Sequence, residues 1–479
     1  MFARLDSPPR ATRYRMPELH RALVAAVFIP FFLPLEASLF TLAGFGSLIL
    51  SALLLAPSML IPLLPVLAVI GPYFLPLPLA GVTVFGFRLM IMLLAAFSTP
   101  LTTRATWWAN PIACRALLLG LLWLTYALFS LFWTLDVPGG LADVVTIVFG
   151  FALVLVLLAL KAHHGDNLDK LRFGWLVALA VAVVMALFEI STGDHLPSKL
   201  YDAMPQYFDG SVVQSTLGSP AGFGAFLLVV TPFVLWSMEM ARGPGRLFYL
   251  GGVIGICFLM LYSASRLSLI GLAIEIAFYF IVIYRRWYIW LLVPVAAVAA
   301  AILWTNVFMK SDFRMAQKLN TIEETGEDAS IQQRLALTIN GLWMTYKTAG
   351  AGVGAAGFEE EIERGNLPAP LPIRLLSKWN AHNVWVEILS EYGVLVFGAL
   401  MALLGQIGML AWRAQRDHTG MTRAVGRAVL TGYVGYLFYG VVSGTAFLQS
   451  VFWIFTASLF IMGAFLHDQL NRSSFRPGR

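Results

Sequence analysis

Three side chains in this sequence combine a reactive type with a telling position: His382, Arg266 and Arg334. His382 stands in Trp379-Asn380-Ala381-His382-Asn383, directly before a long apolar run. An imidazole held at a helix start, half out of water, is expected to titrate near neutrality and to be able to take a proton from a hydroxyl. Arg266 and Glu275 are the charges of the stretch Leu247 to Tyr284, and Ser263-Ala264-Ser265 before Arg266 reads as a turn between two helices. A charge at the edge of a membrane span is a functional candidate by default. Arginine also offers a planar fork that fits phosphate oxygens and keeps its proton. Glu387 and Glu391 follow His382 at roughly helical spacing, where either can orient the imidazole or sit in a hydrated cavity. On position alone each has a plainer reading. His382 can be an interfacial residue that caps a helix, Arg266 an arginine snorkelling to the interface, and Arg334 a solvated loop charge.

The elements that must hold these groups are membrane helices. Of 479 residues, 59% are apolar and 12% charged, too much apolar surface for a soluble fold to hide. Crossing ~30 Å of hydrocarbon takes roughly 20 apolar residues in a helix. The uncharged runs Ala37 to Phe87, Ala116 to Leu135, Val144 to Leu160, Gly210 to Met238, Leu247 to Ser265, Trp287 to Met309, Tyr392 to Trp412 and Ala428 to Leu466 supply such spans. The first and last read as helix pairs, because Pro, Gly or Ser punctuates each. Most of the 32 Lys and Arg residues fall in alternate connections, which places those connections and both termini in the cytoplasm. That alternation is met by about 14 spans, or about 12 if the Pro-rich stretch before Arg88 holds a re-entrant pair. The basic N-terminal stretch reads as retained, with no small-residue cleavage site after the Ala22 to Leu35 run. Cys114 and Cys257 fall in or beside spans and imply no disulfide framework. The net charge of +6 reflects the basic loops and requires no nucleic acid.

The expected organisation is an all-α polytopic membrane protein. Residues 1–305 form the first part of a helical bundle, 306–381 one large, partly helical periplasmic loop, and 382–479 the last spans and a cytoplasmic tail. Positive and negative side chains nearly cancel in the loop. Within it, Ser330 and Gln333 form a capping-box start, and Ile331, Leu335, Ile339, Leu342 and Tyr346 fall on one helix face, so that the helix is expected to lie on the membrane surface or on the transmembrane bundle. Arg334 borders that stripe, and Gly350 ends the helix. Gly352, Gly354 and Gly357 fit G-x-G-x-x-G, but they follow a helix and lack a βαβ context, so a close-packed turn is the reading. The sequence holds no Walker A motif, H-E-x-x-H, nucleophile elbow or Asp-x-Asp pair for a metal-bound sugar nucleotide.

Taken in order, Tyr262-Ser263-Ala264-Ser265-Arg266, then Arg334 followed by the glycines from Gly350 to Gly357, then His382-Asn383 with Glu391-Tyr392-Gly393 resemble the O-antigen ligase and Wzy-type polymerase superfamily. Ser130-Leu131-Phe132-Trp133-Thr134-Leu135-Asp136 is similar to the family's upstream motif. The chain departs from it at Gly218-Ser219-Pro220-Ala221, where an Asn is frequent. The resemblance implies a membrane glycosyltransferase of exopolysaccharide, capsule or lipopolysaccharide biosynthesis. It would move a glycan from undecaprenyl diphosphate to an acceptor sugar hydroxyl, at the periplasmic face of the bacterial inner membrane. Arg266 and Arg334 would hold the diphosphate and His382 would act as base. Asn383, Ser265, Glu387, Arg374 and Lys378 stand beside them as candidate substrate contacts. Neither a metal nor another cofactor is implied. The expected partners are the lipid-linked glycan, an acceptor glycan or lipid A core, and membrane lipids, with a flippase and a chain-length regulator as possible additions. A repeat-unit polymerase is the first expectation, an O-antigen ligase the second, and a non-catalytic polysaccharide or lipid transporter the third.

Overall fold

The computed structural model describes residues 46, 57–71, 77–79, 82–102, 110–160, 162–196, 212–284, 329–365, 367–369, 381–442 and 449–474. Among these, 9 helices are long and apolar enough to cross a membrane. They are α3 (Pro111–Ser130), α4 (Val137–Ala159), α5 (Gly165–Thr192), α6 (Pro220–Met240), α7 (Pro244–Tyr262), α8 (Arg266–Phe278, extended by a π turn Tyr279–Tyr284), α11 (Val384–Asp417), α12 (Gly420–Val442) and α13 (Ser450–Ser474). The run from Ala428 to Leu466 does divide into two helices, α12 and α13. The expected span Trp287 to Met309 and, apart from Gly46, residues 37–56 of the first expected helix pair lie outside the described residues. Between residues 57 and 87 the described chain makes a 3₁₀ turn (Pro57–Met59), the eight-residue helix α1 (Leu63–Ile70), and a hairpin of β1 (Leu77–Leu79) and β2 (Val82–Val84), ahead of α2 (Gly86–Thr102). At 1.5 Å per residue α1 is far too short to cross. Pro57, Pro62, Pro65, Pro72, Pro76 and Pro78 explain why this apolar stretch is broken up.

α12 is the hub, packing on α6, α8, α11 and α13. Small residues let it approach closely, as membrane helices require in place of a hydrophobic driving force. A Cβ on Gly435 would fall 2.9 Å from the Leu228 carbonyl oxygen, the one that Pro232 leaves without a helical donor.

Between α8 and α11 lie two further helices, α9 (Ala329–Lys347) and α10 (Gly357–Glu363). α9 begins within a residue of the expected cap, and of the two expected placements its apolar side fits the membrane surface rather than the bundle. Leu335, Ile339, Leu342 and Tyr346 are exposed, while Leu337, Asn340, Gly341 and Met344 are buried where α9 packs on α11. In a bilayer the apolar side of a helix can face lipid, leaving small and polar residues to face protein.

The glycine-rich turn after α9 is wedged into a break in α11. Gly393 takes φ 75°, ψ 178°, which removes two carbonyls from the helical ladder. The turn answers them: Val353 N donates to Ser390 O (2.8 Å), Gly354 N to Glu391 O (3.1 Å), and Val394 N to Gly350 O (2.9 Å). Its other side is held by the motif after α3. Ser130 Oγ accepts from Ala355 N (3.0 Å), Thr134 Oγ1 donates to Ala355 O (2.6 Å), Trp133 Nε1 donates to Gly352 O (3.3 Å), and Tyr126 donates to Ala351 O. Non-helical backbone at membrane depth survives where protein satisfies it in this way.

Candidate functional site

The C-terminal end of α12 gathers the predicted reactive groups. Arg334 leaves α9 and its Nη1 donates to Val441 O (2.8 Å). The start of α11 rests on the same end, where Trp385 Nε1 donates to Leu437 O (3.2 Å) and a Cβ on Gly440 would meet Val384 at 2.7 Å. His382 lies two residues before Val384. Along α8, a Cβ on Gly271 would fall 2.7 Å from the Phe438 ring, and one on Gly435 would fall 3.0 Å from Glu275 Oε1. α8 therefore runs antiparallel to α12, and its first residue, Arg266, lies past Phe438, level with the end that receives Arg334. Arg266 is half-buried. The turn before it is tight, with Ala264 at φ 46° and Ser265 Oγ 2.7 Å from Ser268 Oγ.

His382 is a non-glycine residue at φ 48°, a conformation that is uncommon and worth a functional look. Its Nδ1 is buried without a hydrogen-bond partner, so neither Glu387 nor Glu391 holds that nitrogen. Burial first, and the Arg334 charge second, push its pKa down to about 4. This corrects the near-neutral titration expected from position alone, because the sequence does not reveal how close Arg334 comes. At neutral pH the imidazole is therefore uncharged and has a lone pair to offer. Asn383 is the N-cap of α11, its Oδ1 accepting from Trp385 N (3.1 Å) and Val386 N (3.4 Å), so that oxygen is committed to the backbone. Arg374 and Lys378 lie outside the described residues.

On the other side of the α11 start is a group of carboxylates whose convergence the sequence spacing does not reveal. Asp136 caps α4 through Gly139 N (2.9 Å), and Asp143 lies two turns further along. With Glu359 of α10 and Glu387 and Glu391 of α11 they line one cavity. Asp143 accepts from the Tyr392 hydroxyl (2.8 Å). The signal available in sequence was Asp143 itself, a charge inside an apolar helix. Among the described residues no group of three or more His, Cys, Asp or Glu side chains is arranged to hold a metal ion.

The apolar helices define a multi-pass membrane protein, with cationic and imidazole groups collected at one end of its central helix. Residues 250–401 match the family model described as O-antigen ligase, which supports the place of this chain in the O-antigen ligase and polymerase superfamily. The matched segment runs from α7 into α11 and contains Arg266, Arg334, the glycine-rich turn and His382. A search of curated proteins finds no match.

Proposed function

We propose that this protein is a membrane glycosyltransferase moving a glycan from undecaprenyl diphosphate to an acceptor sugar hydroxyl, at the periplasmic face of the inner membrane, as a repeat-unit polymerase. The single observation that carries the reading is the approach of Arg334 to His382 at the C-terminal end of α12, to which the helix register of α8 adds Arg266. Two permanent cations there hold the donor diphosphate and stabilise the charge that grows on it as it leaves. Neutral His382 removes the acceptor proton as the hydroxyl oxygen bonds to the anomeric carbon. The bond from that carbon to the phosphate oxygen breaks, its electron pair leaves with the diphosphate, and the proton stays on the imidazole. One displacement of this kind inverts the anomeric centre. A bound diphosphate also offsets the charge of Arg334, raising the basicity of His382 when the base is needed.

The second reading, an O-antigen ligase with lipid A core as acceptor, is favoured by the description of the matched family model. Donor and chemistry are the same in both. Purified protein supplied with undecaprenyl diphosphate oligosaccharide should lengthen the glycan, and Arg266→Ala should abolish the growth. No transfer by the wild type to either acceptor would defeat both readings. In cells, loss of the protein leaves single-repeat glycans if it is a polymerase and full-length unattached polymer if it is a ligase.

A further inference from the structure

The carboxylate cavity does something the donor site cannot. It encloses about 190 Å³ and is lined by Asp136, Asp143, Glu359, Glu387 and Glu391, with Ala142, Ala356, Phe358 and Ala381 as its apolar surface. Glu391 is only 4% exposed; its Oε1 accepts from Phe358 N (3.2 Å) while its Oε2 is buried with no partner. Glu387 Oε2 is likewise buried and unpartnered. Native interiors seldom leave such acceptors unanswered, and those they do leave call for an explanation. Glu387 and Glu391 both line a cavity that has room for a small ligand.

The geometry points to this cavity as a subsite for one sugar residue of the acceptor glycan, with Glu387 and Glu391 accepting hydrogen bonds from its hydroxyls. The inference rests on the transferase reading and deepens it. Carboxylates are acceptor-only groups and hydroxyls are donors, so the two are complementary. The donor diphosphate, by contrast, finds no cation in the lining of this cavity and belongs with the arginines. Phe358 and the three alanines suit the C–H faces of a sugar ring. Ala381 lines the cavity, and the next residue is His382, which is followed by the α11 residues resting on Gly440. The base thus stands between the acidic cavity and the end of α12 that receives Arg334, the order that a transfer from diphosphate to hydroxyl requires.

The test uses full-length protein in nanodiscs. The donor is lipid-linked glycan extracted from the source cells, and the acceptor is the oligosaccharide released from it by mild acid. Calorimetry reads acceptor binding independently of transfer. Glu387→Gln, Glu391→Gln and the cavity-filling Ala142→Leu should each weaken oligosaccharide binding roughly tenfold or more, the loss expected for a charge-assisted hydrogen bond or a blocked ring. Where transfer is measured, the half-saturating acceptor concentration should rise in parallel while that of the donor stays constant. Oligosaccharide that binds wild type and all three variants alike, or does not bind at all, overturns the subsite. Binding that behaves as expected without any transfer keeps the subsite as a saccharide site and defeats the transferase reading instead. Calcium binding that Glu387→Gln removes, with saccharide binding unchanged, would also overturn it.

Discussion

The two ends of α12 hold similar side chains in opposite states. At its N-terminal part Arg427 Nη1 donates to Glu239 Oε2 (3.2 Å), the Tyr279 hydroxyl donates to Glu239 Oε1 (2.6 Å), and the guanidinium lies 5.5 Å from the Tyr284 ring centre. Arginine, carboxylate and phenol answer one another, with Arg427 Nε left over. At the other end Arg334 is steadied by a backbone carbonyl and His382 keeps an unpartnered nitrogen, while Glu387 and Glu391, each with an unpartnered buried oxygen, line a cavity. Charge at one end closes on itself and ties helices together. At the other an imidazole nitrogen and two carboxyl oxygens are left unanswered beside a cavity, the arrangement of a site awaiting a ligand.

The largest effect expected from breaking this comparison is on turnover. His382→Ala should lower glycan transfer by about 10²- to 10⁴-fold, the range for removing a general base, with the melting temperature unchanged. Arg427→Met should do the reverse. It leaves Glu239 short of its cation and should cost about 3 kcal/mol in stability, the lower end for a broken buried pair because both partners keep some solvent contact, with turnover per folded molecule retained. Turnover falling as far as in His382→Ala would erase the distinction between the ends.

Gly393→Ala tests the scaffold between them. The position has φ 75° and ψ 178°, where a side chain costs about 1–3 kcal/mol, and a Cβ would also fall 2.6 Å from Ala351 O. Thermal melting should show at least that loss, and proteolysis should increase in the turn from Gly350 to Gly357. Asn383→Ala, which removes the cap of α11, should cost about 1 kcal/mol by the same melting assay. The smallest effect at neutral pH concerns titration. The His382 pKa is depressed, so the acid limb of kcat/KM in the free protein should fall near pH 4, and Arg334→Gln should move it up toward the ordinary value of 6.5. A limb that does not move would separate His382 from Arg334.

Several of these features were legible in the sequence. The apolar runs gave most of the crossing helices, and Arg266 does begin one of them after a tight turn. The glycines after Lys347 do form a packed turn rather than a nucleotide loop. What stayed hidden follows from the solvent and from distance along the chain. The apolar stripe of α9 left two placements open, on the membrane surface or on the bundle, because lipid accepts the surface that water would reject. The run from Ala37 to Phe87 read as a pair of spans or, in its Pro-rich part, a re-entrant pair, and hydropathy alone could not choose between them; in the described part a short helix and a hairpin stand there. The acidic cavity draws on α4, α10 and α11, and the depressed imidazole depends first on burial and then on Arg334, 48 positions earlier by number. Neither has a local spacing that would announce it.

The central claim is that the donor diphosphate is gripped at the C-terminal end of α12. The most direct measurement is a cryo-electron microscopy map of the protein in nanodiscs with undecaprenyl diphosphate bound. The expected result is diphosphate density within hydrogen-bond reach of both Arg266 and Arg334, with His382 facing it. Density beside Arg427 and Glu239, or at any place that leaves Arg266 and Arg334 without contact, would contradict the claim.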